Sequence, residues 1–270
     1  MKTSCIKNRP VLFLDSGIGG IPYCRHFYER NPGESIVYLA DRLHFPYGKW
    51  EQKELAAVLI KLVKHIIETL NPKIVVLACN TATIAALSQL REAFPELPFV
   101  GTVPAVKPAV LASKTGKVGV LGTELTIREP YIRELAARHG SCEIIGIAAP
   151  ELVAFIENRL DSASAEERKT IAKDYLNRFR TAGVDAIVLG CTHFLFLLED
   201  FREAAHDIMM FESINGISLR IESLLAETYS PEQMPNAKNH LLLTGQSTPE
   251  SSWETWANRL GFSLSLLETP

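Results

Sequence analysis

Short runs of apolar, β-branched residues recur along the chain, each followed by a polar or glycine-containing turn and then by residues with helical periodicity. This is the pattern of βα units with strands buried in parallel sheets. It predicts strands near 11–15, 36–40, 73–79, 99–102, 117–122, 143–148, 186–191, 208–212, 240–244 and 263–267. Between 50 and 70, Leu55, Val58, Leu59, Leu62, Val63, Ile66, Ile67 and Leu70 repeat at three- and four-residue spacing. That spacing predicts an amphipathic helix packed on a sheet, ended by Asn71-Pro72.

Two of these segments resemble each other. VVLACNTAT (75–83) and IVLGCTHFL (187–195) align without a gap as apolar strand, small residue, cysteine and polar followers. VLFLDS (11–16) and VGVLGT (118–123) match more weakly. The repeats imply two related α/β halves. Proline and glycine in 96–104 mark one crossing and a second falls near 210, dividing the chain into 1–100 plus 210–270 and 101–209. Residues just past the C-terminal ends of parallel strands face the ligand crevice, so Cys79 and Cys191 are expected at active-site positions, aimed at one cleft by facing halves.

Composition narrows the function. With 270 residues and 47% hydrophobic content the chain can bury a large core. A net charge of −3 argues against a nucleic-acid surface. No run approaches the ~18 apolar residues of a membrane span and MKTSCIKNRP lacks a signal core, so a cytoplasmic protein is expected. Five cysteines without a CxxC pair fit reduced thiols better than disulfides or structural zinc. Cys5, Cys24 and Cys142 read as incidental or buried small residues.

A pair of thiols suits chemistry in which a Cα proton leaves one face and another arrives on the opposite face, because one can act as base while its partner acts as acid. Asp15 and His193, at strand ends, are candidate assistants for Cys79 and Cys191. Ser16, Asn80, Thr81 and Thr192 add neutral hydrogen-bonding groups near them. The competing readings are structural: Asp15, Asn80 or Thr81 as helix caps, Tyr47 as packing beside Phe45, and His193 as a satisfied core histidine. DSGIGG (15–20) invites a dinucleotide reading, but Pro22 stands where the third glycine belongs, and only Asp41 could close the second strand.

The motifs DSGIGG, FPYG (45–48), ACNTAT (78–83), TVPAVKPA (102–109) and GCTH (190–193), in this order, resemble the glutamate racemase family of the aspartate/glutamate racemase superfamily. The resemblance implies two α/β domains with mainly parallel sheets about a pseudo-twofold axis, and glutamate enclosed in the cleft between them. It implies no cofactor and no metal. By resemblance, Cys79 takes the proton from D-glutamate with help from Asp15, and Cys191 takes it from L-glutamate with help from His193. Substrate contacts carry over to Asp15, Ser16, Tyr47, Gly48, Asn80, Thr81, Thr192 and His193. Glu157, seven residues beyond Pro150, falls where the family places an acid near that histidine. The family's role is to supply D-glutamate for peptidoglycan, and its members often dimerise, so a homodimer is among the expected partners. HLLLTGQSTP (240–249) resembles the family's closing strand, with Gln246 in place of an acid and no role assigned. Alternatives are action on aspartate, hydantoins or maleate, a non-catalytic carboxylate-binding protein, or a redox sensor joining Cys79 to Cys191.

Overall fold

The structure, a computed structural model, describes residues 9–228, 239–245 and 251–268. Cys5 and Gln246 lie outside the described residues. The chain forms two compact units, one comprising 1–102 and 214–270 and the other 103–213.

The first unit is built on a parallel sheet of six strands: β1 (Val11–Asp15), β2 (Ile36–Ala40), β3 (Ile74–Leu77), β4 (Phe99–Gly101), β9 (His240–Thr244) and β10 (Ser263–Leu267). They lie in the order β10-β9-β2-β1-β3-β4. Its helices are α1 (Ile21–Arg30), α2 (Gln52–Leu70), α3 (Asn80–Ala93), α10 (Ile214–Thr228) and α11 (Ser251–Leu260). The second unit holds four parallel strands, β5 (Lys117–Gly122), β6 (Glu143–Ala148), β7 (Ala186–Gly190) and β8 (Met209–Phe211), in the order β6-β5-β7-β8. With these go α4 (Val106–Ala112), α5 (Glu124–Arg128), α6 (Tyr131–Ala137), α7 (Pro150–Arg159), α8 (Ala165–Thr181) and α9 (Leu198–Ala204). Among the described residues no helix is long and apolar enough to cross a membrane.

The internal repeat has a topological counterpart. The four strands β2-β1-β3-β4 and the four strands β6-β5-β7-β8 share one order, with β1 matching β5 and β3 matching β7. In both sheets the chain runs outward from the first strand to one side and then returns to the other. The point where it reverses, between β1 and β3 and between β5 and β7, is where open α/β sheets leave a crevice at the strands' carboxyl ends.

Burial explains why the strands were visible in sequence. The central strands β1, β2, β3 and β7 are buried at every position, which demands uninterrupted apolar runs. The edge strands β6, β8 and β10 are largely exposed or half-buried and correspondingly more polar or shorter. The apolar stripe of α2 buries Leu55, Leu59, Leu62, Val63 and Ile66. That helix stops at Asn71, which adopts a left-handed conformation (φ 45°) and donates its N–H to the Ile67 carbonyl.

Strand ends differ from the sequence reading by one or two residues, for a common reason. The expected strand 73–79 stops at Leu77 and 186–191 stops at Gly190, because the next residues turn to begin helices. The expected 99–102 ends at Gly101: Thr102 turns its amide to the Leu77 carbonyl and to Thr83 Oγ1. The expected 208–212 shortens to 209–211.

Candidate active site

Cys79 and Cys191 occupy equivalent places in their respective units. Each follows the strand beside the reversal point, and each is the N-cap of the helix that comes next. Their backbones agree closely, with φ/ψ of −140°/122° at Cys79 and −138°/133° at Cys191. Both are buried, and among the described residues neither is in a disulfide. The helices differ: Cys79 opens the four-turn α3, whereas Cys191 opens a 3₁₀ segment, Thr192–Leu197, ahead of α9.

In the first unit, Asp15 ends β1, the strand paired with β3, and Ala78 N–H donates to the Leu14 carbonyl, 2.8 Å. The acid is therefore held one strand away from the cysteine turn. Asp15 is fully buried. It does not cap α1, whose N-cap is Gly20; its Oδ1 accepts the Gly17 amide at 2.7 Å instead. The turn is tight because Gly20 leaves no room for a side chain: a Cβ there would lie 2.6 Å from Ala78 Cβ and 2.8 Å from the Ala78 carbonyl oxygen. Tyr38 fastens the same turn by donating its hydroxyl to the Gly17 carbonyl, 2.7 Å.

Around Cys79 the polar followers are all buried. Asn80 donates Nδ2 to the Thr102 carbonyl, 3.0 Å, while its Oδ1 has no partner among the described residues. Neither Asn80 nor Thr81 caps α3, since Cys79 holds that position. Thr83 and Thr102 both turn their hydroxyls to the Leu77 carbonyl, at 3.3 and 3.0 Å, which fixes the strand end from which Cys79 emerges. Ser16 is buried in the turn after β1. Tyr47 and Gly48 lie in a short 3₁₀ turn, Tyr47–Lys49, and Tyr47 is not mere packing: its hydroxyl donates to Asp41 Oδ2 at 2.8 Å. Burial first, then the charge of Asp41, and lastly Cys79 and Asp15, hold the Tyr47 phenol well above its ordinary pKa.

In the second unit the geometry is a relay. His193 Nδ1 lies 3.7 Å from Cys191 Sγ, and His193 Nε2 lies 2.7 Å from Glu157 Oε1. The histidine and glutamate side chains are only 5% and 6% exposed, so this is a desolvated pair. Burial alone would depress the imidazole. Hydrogen bonds to Cys191 and Glu157, with the charges of both, outweigh it and hold His193 well above its ordinary pKa. Glu157 reaches the histidine because α7 presents it on a buried face with Val153 and Ile156. Thr192 is buried beside the pair in sequence.

The other cysteines stand apart from this chemistry. Cys24 is fully buried in α1, and burial pushes its thiol far above the ordinary range. Cys142 is partly exposed and its thiol is raised by burial. Among the described residues no group of three or more His, Cys, Asp or Glu side chains is placed to hold a metal ion.

Sequence reasoning missed Asp41, Thr83, Thr102 and Thr244 as members of this neighbourhood. Asp41 had a usable signal, since it follows the carboxyl end of β2 as Asp15 ends β1. The sequence pattern offers it only as an acid that could close the second strand of a dinucleotide site.

Comparisons with known proteins agree with the geometry. The family model for Asp/Glu/Hydantoin racemases matches residues 31–215. The chain is 35% identical over 248 residues to a glutamate racemase of Bartonella henselae, covering 90% of this chain and 92% of that protein. It is 37% identical over 228 residues to one of Brucella canis, covering 83% and 82%. Among solved structures, Escherichia coli glutamate racemase, in complex with L-glutamate and the activator UDP-MurNAc-Ala, superposes with a TM-score of 0.84 at 29% identity, covering 96% of this chain and 98% of that one. With two relatives above one-third identity across most of its length and the family model spanning the segment that carries both cysteines, the chain belongs to the glutamate racemases of the Asp/Glu/Hydantoin racemase family and is an isomerase.

Proposed function

We propose that the protein interconverts L- and D-glutamate by a two-base mechanism in which Cys79 serves one face of the substrate and Cys191 the other, supplying D-glutamate for peptidoglycan synthesis. The single observation that supports this most is the matched placement of the two thiols at equivalent strand ends, with His193 3.7 Å from Cys191 and Asp15 ending the strand paired with the one that leads to Cys79.

The chemistry follows from the arrangement. With L-glutamate bound, the Cys191 thiolate takes the Cα proton: the Cα–H bond breaks, an S–H bond forms, and the electron pair left on Cα delocalises into the α-carboxylate. The Cys79 thiol then delivers its proton to the opposite face. For D-glutamate the roles reverse. A protonated His193 beside Sγ balances the Cys191 thiolate and can return a proton to it, while Glu157 compensates the imidazolium charge in the desolvated interior. Asp15, a carboxyl group rather than a cation, cannot balance a thiolate; its part is to take the Cys79 proton and return it. Asn80, whose Oδ1 has no partner among the described residues, is suited to accept from the substrate ammonium. Ser16, Tyr47, Gly48, Thr81, Thr192 and His193 complete the proposed contacts, and no cofactor enters the scheme.

The test is optical rotation with purified protein, dialysed against chelator, started separately from L- and from D-glutamate. Both are expected to decay to the racemate. Cys79→Ala and Cys191→Ala are each expected to abolish the change while retaining the fold. Near-normal turnover by either variant contradicts the two-base scheme, and no activity in the unaltered protein removes the racemase reading.

A further inference from the structure

Asp41 is a fully buried carboxylate that the scheme above leaves without a task. It stands where β2 ends, with its amide on the Asp15 carbonyl at 2.8 Å. Its Oδ2 accepts the Tyr47 hydroxyl at 2.8 Å and His44 Nδ1 at 2.8 Å. Its Oδ1 accepts the Thr244 hydroxyl at 2.7 Å. Thr244 ends β9, the strand on the other side of β2, and its Oγ1 also accepts the Leu43 amide at 3.1 Å. Two residues of the turn that follows, His44 and Tyr47, thus bind back to one anion. Trp50 extends the clamp by donating Nε1 to the His44 carbonyl, 2.9 Å.

An ionised carboxylate is costly to bury unless fixed donors surround it. Here the donors come from the strand end of β9 and from the 42–49 turn, so the charge and the shape of the turn depend on each other. We propose that Asp41 is a positioning residue for substrate binding, holding Tyr47 and Gly48 in place through the hydrogen bonds of its buried carboxylate to Tyr47, His44 and Thr244. This rests on the assignment of Tyr47 and Gly48 to the glutamate site made above. The elevated phenol of Tyr47 fits the same picture: it stays a neutral donor and cannot compete with Asp41 for charge. Asp41 touches no reacting atom in this scheme; it acts through the turn.

Steady-state constants for Asp41→Asn, Tyr47→Phe, the double variant, Thr244→Val and Thr244→Ser test this, alongside melting temperatures. Asparagine keeps the shape but sets an amide N–H against groups that are themselves donors. The expected result for D41N and Y47F is a rise in KM for glutamate of about tenfold, as for one lost charge-assisted hydrogen bond, with kcat changed about threefold at most. The double variant is expected to be no worse than the worse single, because both remove one interaction. T244S is expected to restore the KM that T244V loses. A merely structural Asp41 would lower the melting temperature and leave KM of the folded protein unchanged. That outcome, or additive effects of D41N and Y47F, overturns the inference. If D41N does not fold, an unchanged KM in both Y47F and T244V overturns it equally. An unaltered protein that does not racemise glutamate defeats the proposed function, which is a different result from an active protein indifferent to D41N.

Discussion

Replacing Glu157 with glutamine tests how the second unit governs its thiol. Glutamine retains shape and can still accept from His193 Nε2, so the change removes charge and little else. At an effective dielectric of about 20 and charge centres roughly 4 Å apart, the ion pair is worth at most about 4 kcal/mol. A neutral hydrogen bond survives, which leaves a net loss of about 1.5–3 kcal/mol for the cationic imidazole. The folded pKa of His193, held up against burial by Cys191 and Glu157, is then expected to fall. The alkaline limb of the kcat/KM profile should move to lower pH. Because enantiomers have equal free energy, kcat/KM must fall equally in both directions, by about 10- to 100-fold. The asymmetry appears in isotope effects instead. Removal of an α-deuteron from L-glutamate by Cys191 becomes more rate-limiting, so that isotope effect grows, whereas the one for D-glutamate, where Cys79 removes the deuteron, shrinks. An unmoved alkaline limb, or isotope effects that change alike for the two enantiomers, refutes the coupling of Glu157 to Cys191 through His193.

The same pair makes a prediction about stability. His193 is raised above the free value of about 6.5, so its contribution is full below that pH and is lost as pH rises through the folded value. The melting-temperature gap between the unaltered protein and E157Q should therefore be wide near about pH 6 and narrow in alkali; a gap that widens with pH contradicts this sign. Cys24→Ala should leave racemisation intact and cost about 1–2 kcal/mol by denaturant titration, and in the native protein Cys24 should resist iodoacetamide. Loss of turnover in that variant would place Cys24 in the chemistry. Gly20→Ala should displace the turn against Ala78, with about 1–3 kcal/mol lost and activity reduced more than tenfold. Wild-type activity there would show that the approach of α1 to the Cys79 strand end does not matter.

What was legible in the chain was what repeats locally. Ten apolar runs became ten strands because most are buried on both faces, and the stripe of α2 announced the face it buries. The cysteines were legible because a strand end followed by small polar residues recurs twice. Strand ends were less so: whether Ala78 or Gly190 extends a ladder or turns toward a helix depends on neighbours such as Gly20 and Val120, which sequence spacing does not reveal. Glu157 could be found only by counting from Pro150, since its partner His193 is 36 residues away. The Asp41 cluster was illegible for a stronger reason, as Thr244 reaches it across 203 residues. A threonine ending an apolar run carries no local mark of that partnership.

The claim that two different thiols act on one Cα is tested most directly by the isotope content of both enantiomer pools early in the reaction. L-glutamate is incubated in D2O with the unaltered protein and stopped while conversion is small, and α-deuterium is measured separately in the L and D pools. Two bases predict D-glutamate that is almost fully deuterated and remaining L-glutamate that still carries protium, because the proton delivered comes from the other, solvent-exchanged thiol. Product D-glutamate that retains protium, or deuterium appearing equally in both pools, would mean that one group serves both faces and would contradict the account.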